Sequence, residues 1–237
     1  MNFHRYLSQL NIPEVGKEGQ DKFRASKVLV IGAGGLGCPA LQYLAGMGIG
    51  VIGILDDDLV QLSNLHRQVL YNEEDIGKGK VHVAASRLRL VNSDIEIRAI
   101  SSRATLENIS GLISDYHIVL DCTDNLESRM TIDEACHSMR IPLVFGAVRQ
   151  FEGQISVFHY MSQYRYSDFY QELQTSEGLS CAQDGIMGHT AGLIGCLMSN
   201  EVVKIILGLE NVLSGVLLSI NLLSGQMRKF KLHQQKP

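Results

Sequence analysis

The sequence predicts an α/β fold: a mostly parallel sheet with helices on both faces, extended by antiparallel strands in the C-terminal third. Three observations lead there. Short apolar runs at 27–31, 50–55, 94–99, 117–121 and 142–145 have the length of buried strands. Helix-like stretches at 35–47, 78–91, 105–113 and 125–138 separate most of them, as parallel strands joined by crossover helices require. After Gly146 the texture changes to strand-like runs joined by short turns.

Each element has its own signature. Residues 1–26 read as an N-terminal helical segment. From Val28 to Leu55 there is no charged residue, a stretch long enough to suggest a membrane span. It contains eight glycines and Pro39, and its texture passes from β-like (Val28 to Ile31) to helix-like (Leu36 to Met47) and back. That pattern indicates a buried strand–helix–strand unit rather than one lipid-facing helix. In the last third, Gly153 to Phe158, Val216 to Leu222 and Met227 to Leu232 read as strands, with Leu223-Ser224-Gly225-Gln226 as a hairpin turn. Gly188 to Leu207 reads as an apolar helix on which Glu201 and Lys204 can pair on the exposed face. The polar, tyrosine-rich connection 160–187 is longer than a compact domain needs for geometry alone.

Composition narrows the function. Hydrophobic residues make up 45% of the 237 and charged residues 19%, enough for a substantial core and against wholesale disorder. The net charge of −4 and the lack of any long lysine/arginine run argue against a nucleic-acid partner. The first sixteen residues hold Arg5 and Glu14 and no long apolar core, so no signal peptide is expected. A soluble, cytoplasmic chain with no membrane partner is expected. The five cysteines, Cys38, Cys122, Cys136, Cys181 and Cys196, are scattered with no CxxC, which supports neither a disulfide scaffold nor a four-cysteine zinc site. All but Cys181 lie on core-facing segments and read as packing residues.

The chemistry-bearing residues begin with Gly32, Gly34 and Gly37, spaced as GxGxxG, and Gly35 beside them. After a strand and at the start of a helix, this Rossmann-like turn brings backbone N–H groups to a phosphate. Asp56 ends the next strand and follows Gly32 by 24 residues, the place of a ribose-binding carboxylate, with Asp58 close behind. To this point NAD and ATP are equally admissible. The segment Ser63-Asn64-Leu65-His66-Arg67-Gln68 then sets two amides and an arginine within one turn, and Arg67 can clamp phosphate oxygens bidentately. Lys80, at the end of Gly77-Lys78-Gly79-Lys80, can deliver a point charge to a triphosphate or simply be a solvated lysine at a helix start. In Asp121-Cys122-Thr123-Asp124-Asn125, Asp124 is placed to hold Mg²⁺ and Asn125 to cap a helix or touch nucleotide. The sum is metal-assisted phosphate chemistry on a nucleotide.

The runs GAGGLG, LDDDLVQLSNLHRQ, GKGK and DCTDN, in that order, resemble the ThiF/MoeB/HesA family, relatives of the ubiquitin-activating enzymes. The resemblance extends from Ile12-Pro13-Glu14-Val15-Gly16 to Glu201-Val202-Val203-Lys204. It implies a single domain over 1–237, with a nucleotide-binding half (27–146) and a carrier-binding half (147–237) that holds a crossover loop (160–187). It implies an adenylyltransferase that uses ATP and Mg²⁺ to activate the C-terminal glycine of a small ubiquitin-like sulfur carrier ending in Gly-Gly, in the manner of thiamine or molybdopterin cofactor biosynthesis. Arg67, Lys80 and Asp124 would be catalytic, and a homodimer is expected because such sites borrow from the partner's N-terminus. Cys181 stands where some relatives link covalently to the carrier, although the residue reads more readily as a small buried cysteine at a loop end.

Two departures stand out. Where the family has Arg-Tyr-x-Arg-Gln, this chain has Arg5-Tyr6-Leu7-Ser8-Gln9, so Ser8 replaces the arginine that reaches the partner's ATP. Where many members hold zinc between two CxxC pairs, Tyr166 and Phe169 occupy the first pair's positions, and no zinc is expected. The series Tyr160, Tyr164, Tyr166, Phe169 and Tyr170 either docks the carrier's tail or covers the sheet. A catalytically weakened nucleotide- or carrier-binding scaffold, or a peptide- or tRNA-modifying relative, is the alternative.

Overall fold

The computed structural model describes residues 3–162, 164–168 and 185–232. One eight-stranded sheet runs through it in the order β3-β2-β1-β4-β5-β6-β7-β8. The strands are β1 (Lys27–Ile31), β2 (Val51–Leu55), β3 (Glu96–Ile100), β4 (Ile118–Asp121), β5 (Leu143–Arg149), β6 (Glu152–Phe158), β7 (Val216–Asn221) and β8 (Gln226–Lys231). The first five are parallel and the last three join antiparallel, as expected from the sequence.

The two-residue period of the strands divides the core. Val28 and Val30 of β1, with Ile118 and Leu120 of β4, face one helical layer; Leu29, Ile31 and Val119 face the other. The first layer contains α2 (Gly16–Ala25), α3 (Gly37–Met47), α4 (Lys80–Val91) and α7 (Gly188–Leu207). The second contains α5 (Ile109–Ile113) and α6 (Leu126–Met139). A short α1 (Leu7–Leu10) precedes them. Strands covered on both faces need apolar side chains at every position, which is why β1 and β4 read as unbroken apolar runs.

The helices end where the sequence supplies the chemistry. α3 and α7 stop at Gly48 and Gly208, both in the left-handed region (φ +87° and +69°). α6 starts at Asn125, whose side chain accepts from Ser128 N. α7 is long and apolar enough to cross a bilayer, but Ala191, Ile194, Met198 and Val202 are buried against the sheet and α3. Gly195 permits this packing: a Cβ there would stand 2.3 Å from Leu36 O.

Several boundaries and one pair differ from the sequence expectation. β5 continues to Arg149 because Gly146 to Arg149 pair with Ile155 to Glu152, a hairpin turned by Gln150 at φ +51°. The helix expected over 105–113 forms only from Ile109, because the Asn108 carboxamide accepts from Thr105 N and holds the preceding residues in a turn. Glu201 and Lys204 do pair, at 2.5 Å, but Glu201 is buried rather than on an exposed face. Its carboxylate also accepts from Leu213 N at 3.0 Å, so it fastens the chain after α7 to that helix.

Candidate functional site

A cleft of about 550 Å³ opens at the carboxyl ends of β1, β2, β4 and β5. The sheet order reverses between β1 and β4, so this is the topological switch point, where open α/β sheets bind ligands. The volume suits a small-molecule or nucleotide ligand.

The glycine turn forms the floor. Ile31 pairs with Leu55 on one side and Asp121 on the other, so the chain leaving β1 emerges between two strand ends. Gly32 turns there at φ +95°, and a Cβ would lie 2.7 Å from Cys122 O. Gly37 serves the same turn from the helix side, since its Cβ would meet Gly32 O at 2.0 Å. Gly34 and Gly35, with Gly32, line the cleft. The motif therefore separates into glycines that shape the turn and glycines that leave space over it.

Asp56 ties this turn to the next strand. Its Oδ2 accepts from Ala33 N at 2.7 Å and its Oδ1 from Asp58 N at 2.8 Å. Burial pushes its carboxyl above the usual carboxylate range, partly offset by the nearby Lys80 charge and these two donors. Lys80 is buried, and its Nζ donates to Asp58 at 2.7 Å while its backbone N donates to Asp58 O at 3.0 Å. The solvated-lysine alternative is thereby excluded. Tyr71 completes the brace: its buried hydroxyl donates to Ala33 O at 2.8 Å.

The polar segment divides in the same way. Asn64, Arg67 and Gln68 line the cleft, and the stem of Arg67 lies over Gly35. Ser63, Leu65 and His66 do not line it. The Ser63 carbonyl accepts from Arg67 Nη1 at 3.1 Å, the His66 ring is 2.7 Å from the same nitrogen, and Leu65 packs on the core. Among the described residues Gln68 Oε1 is buried without a hydrogen-bond partner, on a side chain that lines the cleft.

The opposite wall comes from β4 and α6. Asp121 is buried, and burial raises its carboxyl despite the Arg129 charge and two bonds from Thr123, at 2.9 Å from N and 2.6 Å from Oγ1. Those bonds fix the turn that presents Asp124, exposed, and Asn125 to the cleft. Asp124 is a hard oxygen donor free to face phosphates, as Mg²⁺ prefers. Asp56, Asp57 and Asp58 also gather their carboxylates within 4.8 Å, but Asp56 and Asp58 are already engaged.

Sequence reasoning missed Arg103 and Arg129, which line the cleft, and Tyr71, which braces its glycine turn. Arg129 was discoverable, lying one helical turn after the cap Asn125 and hence on the same face. Cys181, Phe169 and Tyr170 lie outside the described residues. Tyr166 is buried, its ring 4.9 Å from Phe145 and 6.1 Å from Phe158, so at this position the aromatic series covers the sheet. Ser8 is exposed on α1, and Arg5 donates to Val91 O at 2.6 Å, at the far end of α4 from Lys80. Eleven helical steps separate those ends by roughly 16 Å, so Arg5 does not reach its own chain's cleft.

Solved structures share this fold: Escherichia coli MccB with AMPCPP and MccA superposes with a TM-score of 0.80 at 21% identity, covering 99% of this chain and 73% of that one. Among curated proteins, a probable molybdopterin-synthase adenylyltransferase of Gracilaria tenuistipitata var. liui is 41% identical over 98% of this chain and 65% of its own length. The adenylyltransferase and sulfurtransferase MOCS3 of Anopheles gambiae is 43% identical over 98% of this chain and 53% of its own. A sulfur carrier protein adenylyltransferase of Thermus thermophilus is 39% identical over 95% and 85%. The chain thus spans between about half and two thirds of the first two relatives' length. The ThiF family model, "ThiF family", matches residues 6–237, and the chain belongs to that family.

Proposed function

We propose that the chain is an ATP-dependent adenylyltransferase that activates the C-terminal glycine carboxylate of a small ubiquitin-like sulfur carrier. The observation that carries this is the meeting of Arg67, Lys80 and Asp124 around one cleft over the Gly34–Gly35 floor. An oxidoreductase cofactor needs the floor and Asp56; it has no use for two cations and an exposed carboxylate arrayed beside them. The relatives' names support the same reaction class.

In this reaction a carboxylate oxygen attacks the α-phosphorus, the bond from that phosphorus to the β-bridging oxygen breaks, and pyrophosphate leaves with the electron pair. No proton need move at the reacting atoms. The protein's work is positioning and stabilisation of charge developing on the phosphate oxygens. Asp56, fixed by Ala33 and Asp58, receives the ribose hydroxyls, and Asn64 and Gln68 orient the phosphates. Arg67 and Lys80 take up charge on the triphosphate, Lys80 exchanging its Asp58 partner for phosphate. Asp124, with Asn125 beside it, would hold Mg²⁺, which when bound neutralises phosphate charge. Cys181 is the candidate for a later covalent linkage to the carrier. The site is completed in a homodimer, with Arg5 of the partner's α1 region standing in for the arginine that Ser8 replaces. The protein acts in the cytoplasm and needs no zinc.

The test is mass spectrometry of Gly-Gly-ended carriers encoded by the same genome after incubation with ATP, magnesium and this protein. An AMP adduct on the terminal glycine is expected. Its absence from every such carrier sinks the proposal.

A further inference from the structure

Arg129 has capacity that the fold does not use. Its Nη2 donates to Thr123 O at 2.8 Å and reaches Gly146 O at 3.5 Å, joining the ends of β4 and β5. The guanidinium carbon sits over the Phe145 ring, 5.0 Å from its centre, a cation–π contact. Among the described residues its Nε is buried with no hydrogen-bond partner, and Nη2 alone makes hydrogen bonds to protein. Burial raises the carboxyl of Asp121, and the Arg129 charge acts against that rise. Arg129 thus brings a planar, incompletely paired cation to the cleft wall, beside Thr123, Ala147 and Val148. A buried donor left unpaired is costly, which makes an arrangement of this kind a ligand signal.

The chemistry of the reaction requires such a group. A carboxylate approaching a triphosphate is repelled, and it needs a cation other than those the phosphates occupy. Arg67 and Lys80 stand on the glycine-turn side of the cleft; Arg129 stands across from them on the β4–β5 side. We propose that Arg129 receives the reacting C-terminal carboxylate of the substrate and so selects substrates with a free carboxylate. This rests on the adenylyltransferase reading and assigns within it the group that recognises the acyl substrate.

The probes are two forms of one peptide ending in Gly-Gly, one with a free C-terminal carboxylate and one with a carboxamide. Each is titrated into the intact protein saturated with a non-hydrolysable ATP analogue, whose own affinity is measured first. The wild type should prefer the carboxylate by about tenfold or more, the worth of one charge-assisted hydrogen bond. Arg129→Gln should abolish that preference while the variant still binds the analogue. Equal affinity of the two peptides for the wild type, or binding of neither, overturns the proposal. So does a preference that survives in Arg129→Gln, or a variant that loses analogue and peptide together, the mark of a strut for Thr123 and Gly146 alone. If Arg129→Gln does not fold, Arg129→Met decides by the same preference: it keeps an unbranched stem without the charge, and a full wild-type ratio contradicts the assignment. Failure of the analogue to bind the wild type would instead refute the nucleotide reading beneath it.

Discussion

Lys80 and Asp58 are joined twice, by the lysine backbone N on the aspartate carbonyl at 3.0 Å and by Nζ on its carboxylate at 2.7 Å. The lysine side chain is almost wholly buried while the aspartate side chain is largely exposed. A buried ammonium with one solvent-facing partner is held in place, and on the proposed function it exchanges that partner for phosphate.

Lys80→Ala removes the charge and should lower adenylyl transfer about 100-fold or more, the usual effect of losing one transition-state donor. Asp58→Asn keeps the lysine and should chiefly raise KM for ATP, about fivefold, by freeing a side chain that must then be ordered. Steady-state kinetics of the two variants separate the roles. Equal loss of kcat in both would show that Asp58 contacts the reacting groups itself.

Tyr71→Phe removes the shorter of two side-chain donors to Ala33 O beneath the glycine turn. The expected loss is about 1 kcal/mol of unfolding free energy, the net worth of one hydrogen bond, since Cys38 Sγ still donates to Ala33 O at 3.4 Å. Urea denaturation measures it; a loss within error would mean that water replaces the hydroxyl.

Gly32→Ala should be more damaging. It forces a side chain into the left-handed region and brings its Cβ to 2.7 Å from Cys122 O. A variant that folds with wild-type stability and binds ATP normally would contradict the assigned turn geometry.

Asp133 predicts a pH dependence far from the cleft. Burial would raise its carboxyl, but the His159 bond at 2.8 Å, the His159 charge, and the N–H groups of Tyr166 and Ser167 outweigh it and hold the carboxyl below the usual range. A depressed folded-state value contributes stability above the unfolded value, about 3.9, and loses it as pH falls through the folded one. The stability gap between wild type and Asp133→Asn should therefore be full at neutral pH and shrink below about pH 4. Denaturation midpoints across that range check it; a gap that widens in acid would reverse the sign.

The parallel half of the fold was legible because buried strands and crossover helices leave long apolar periods, as in Val28 to Ile31 and Ile118 to Leu120. The cleft's floor and its principal charges were legible because Gly32, Asp56, Arg67, Lys80 and Asp124 sit in short contiguous motifs. What escaped depends on distance along the chain. Tyr71 finds Ala33 across 38 residues, and Asp133 finds Tyr166 across 33, with no local pattern to announce either. Glu201 was misplaced because an i,i+3 pair looks the same from sequence whether its acid is exposed or holding Leu213 N inside.

The most direct test of the central claim is ATP–pyrophosphate exchange by the wild-type protein with a Gly-Gly-ended carrier from the same genome and with that carrier lacking its terminal glycine. Exchange that requires the intact carrier, requires magnesium, and disappears in Lys80→Ala and Asp124→Ala is the predicted result. Full exchange with the truncated carrier, or in either variant, would contradict it, as would no exchange with any intact carrier.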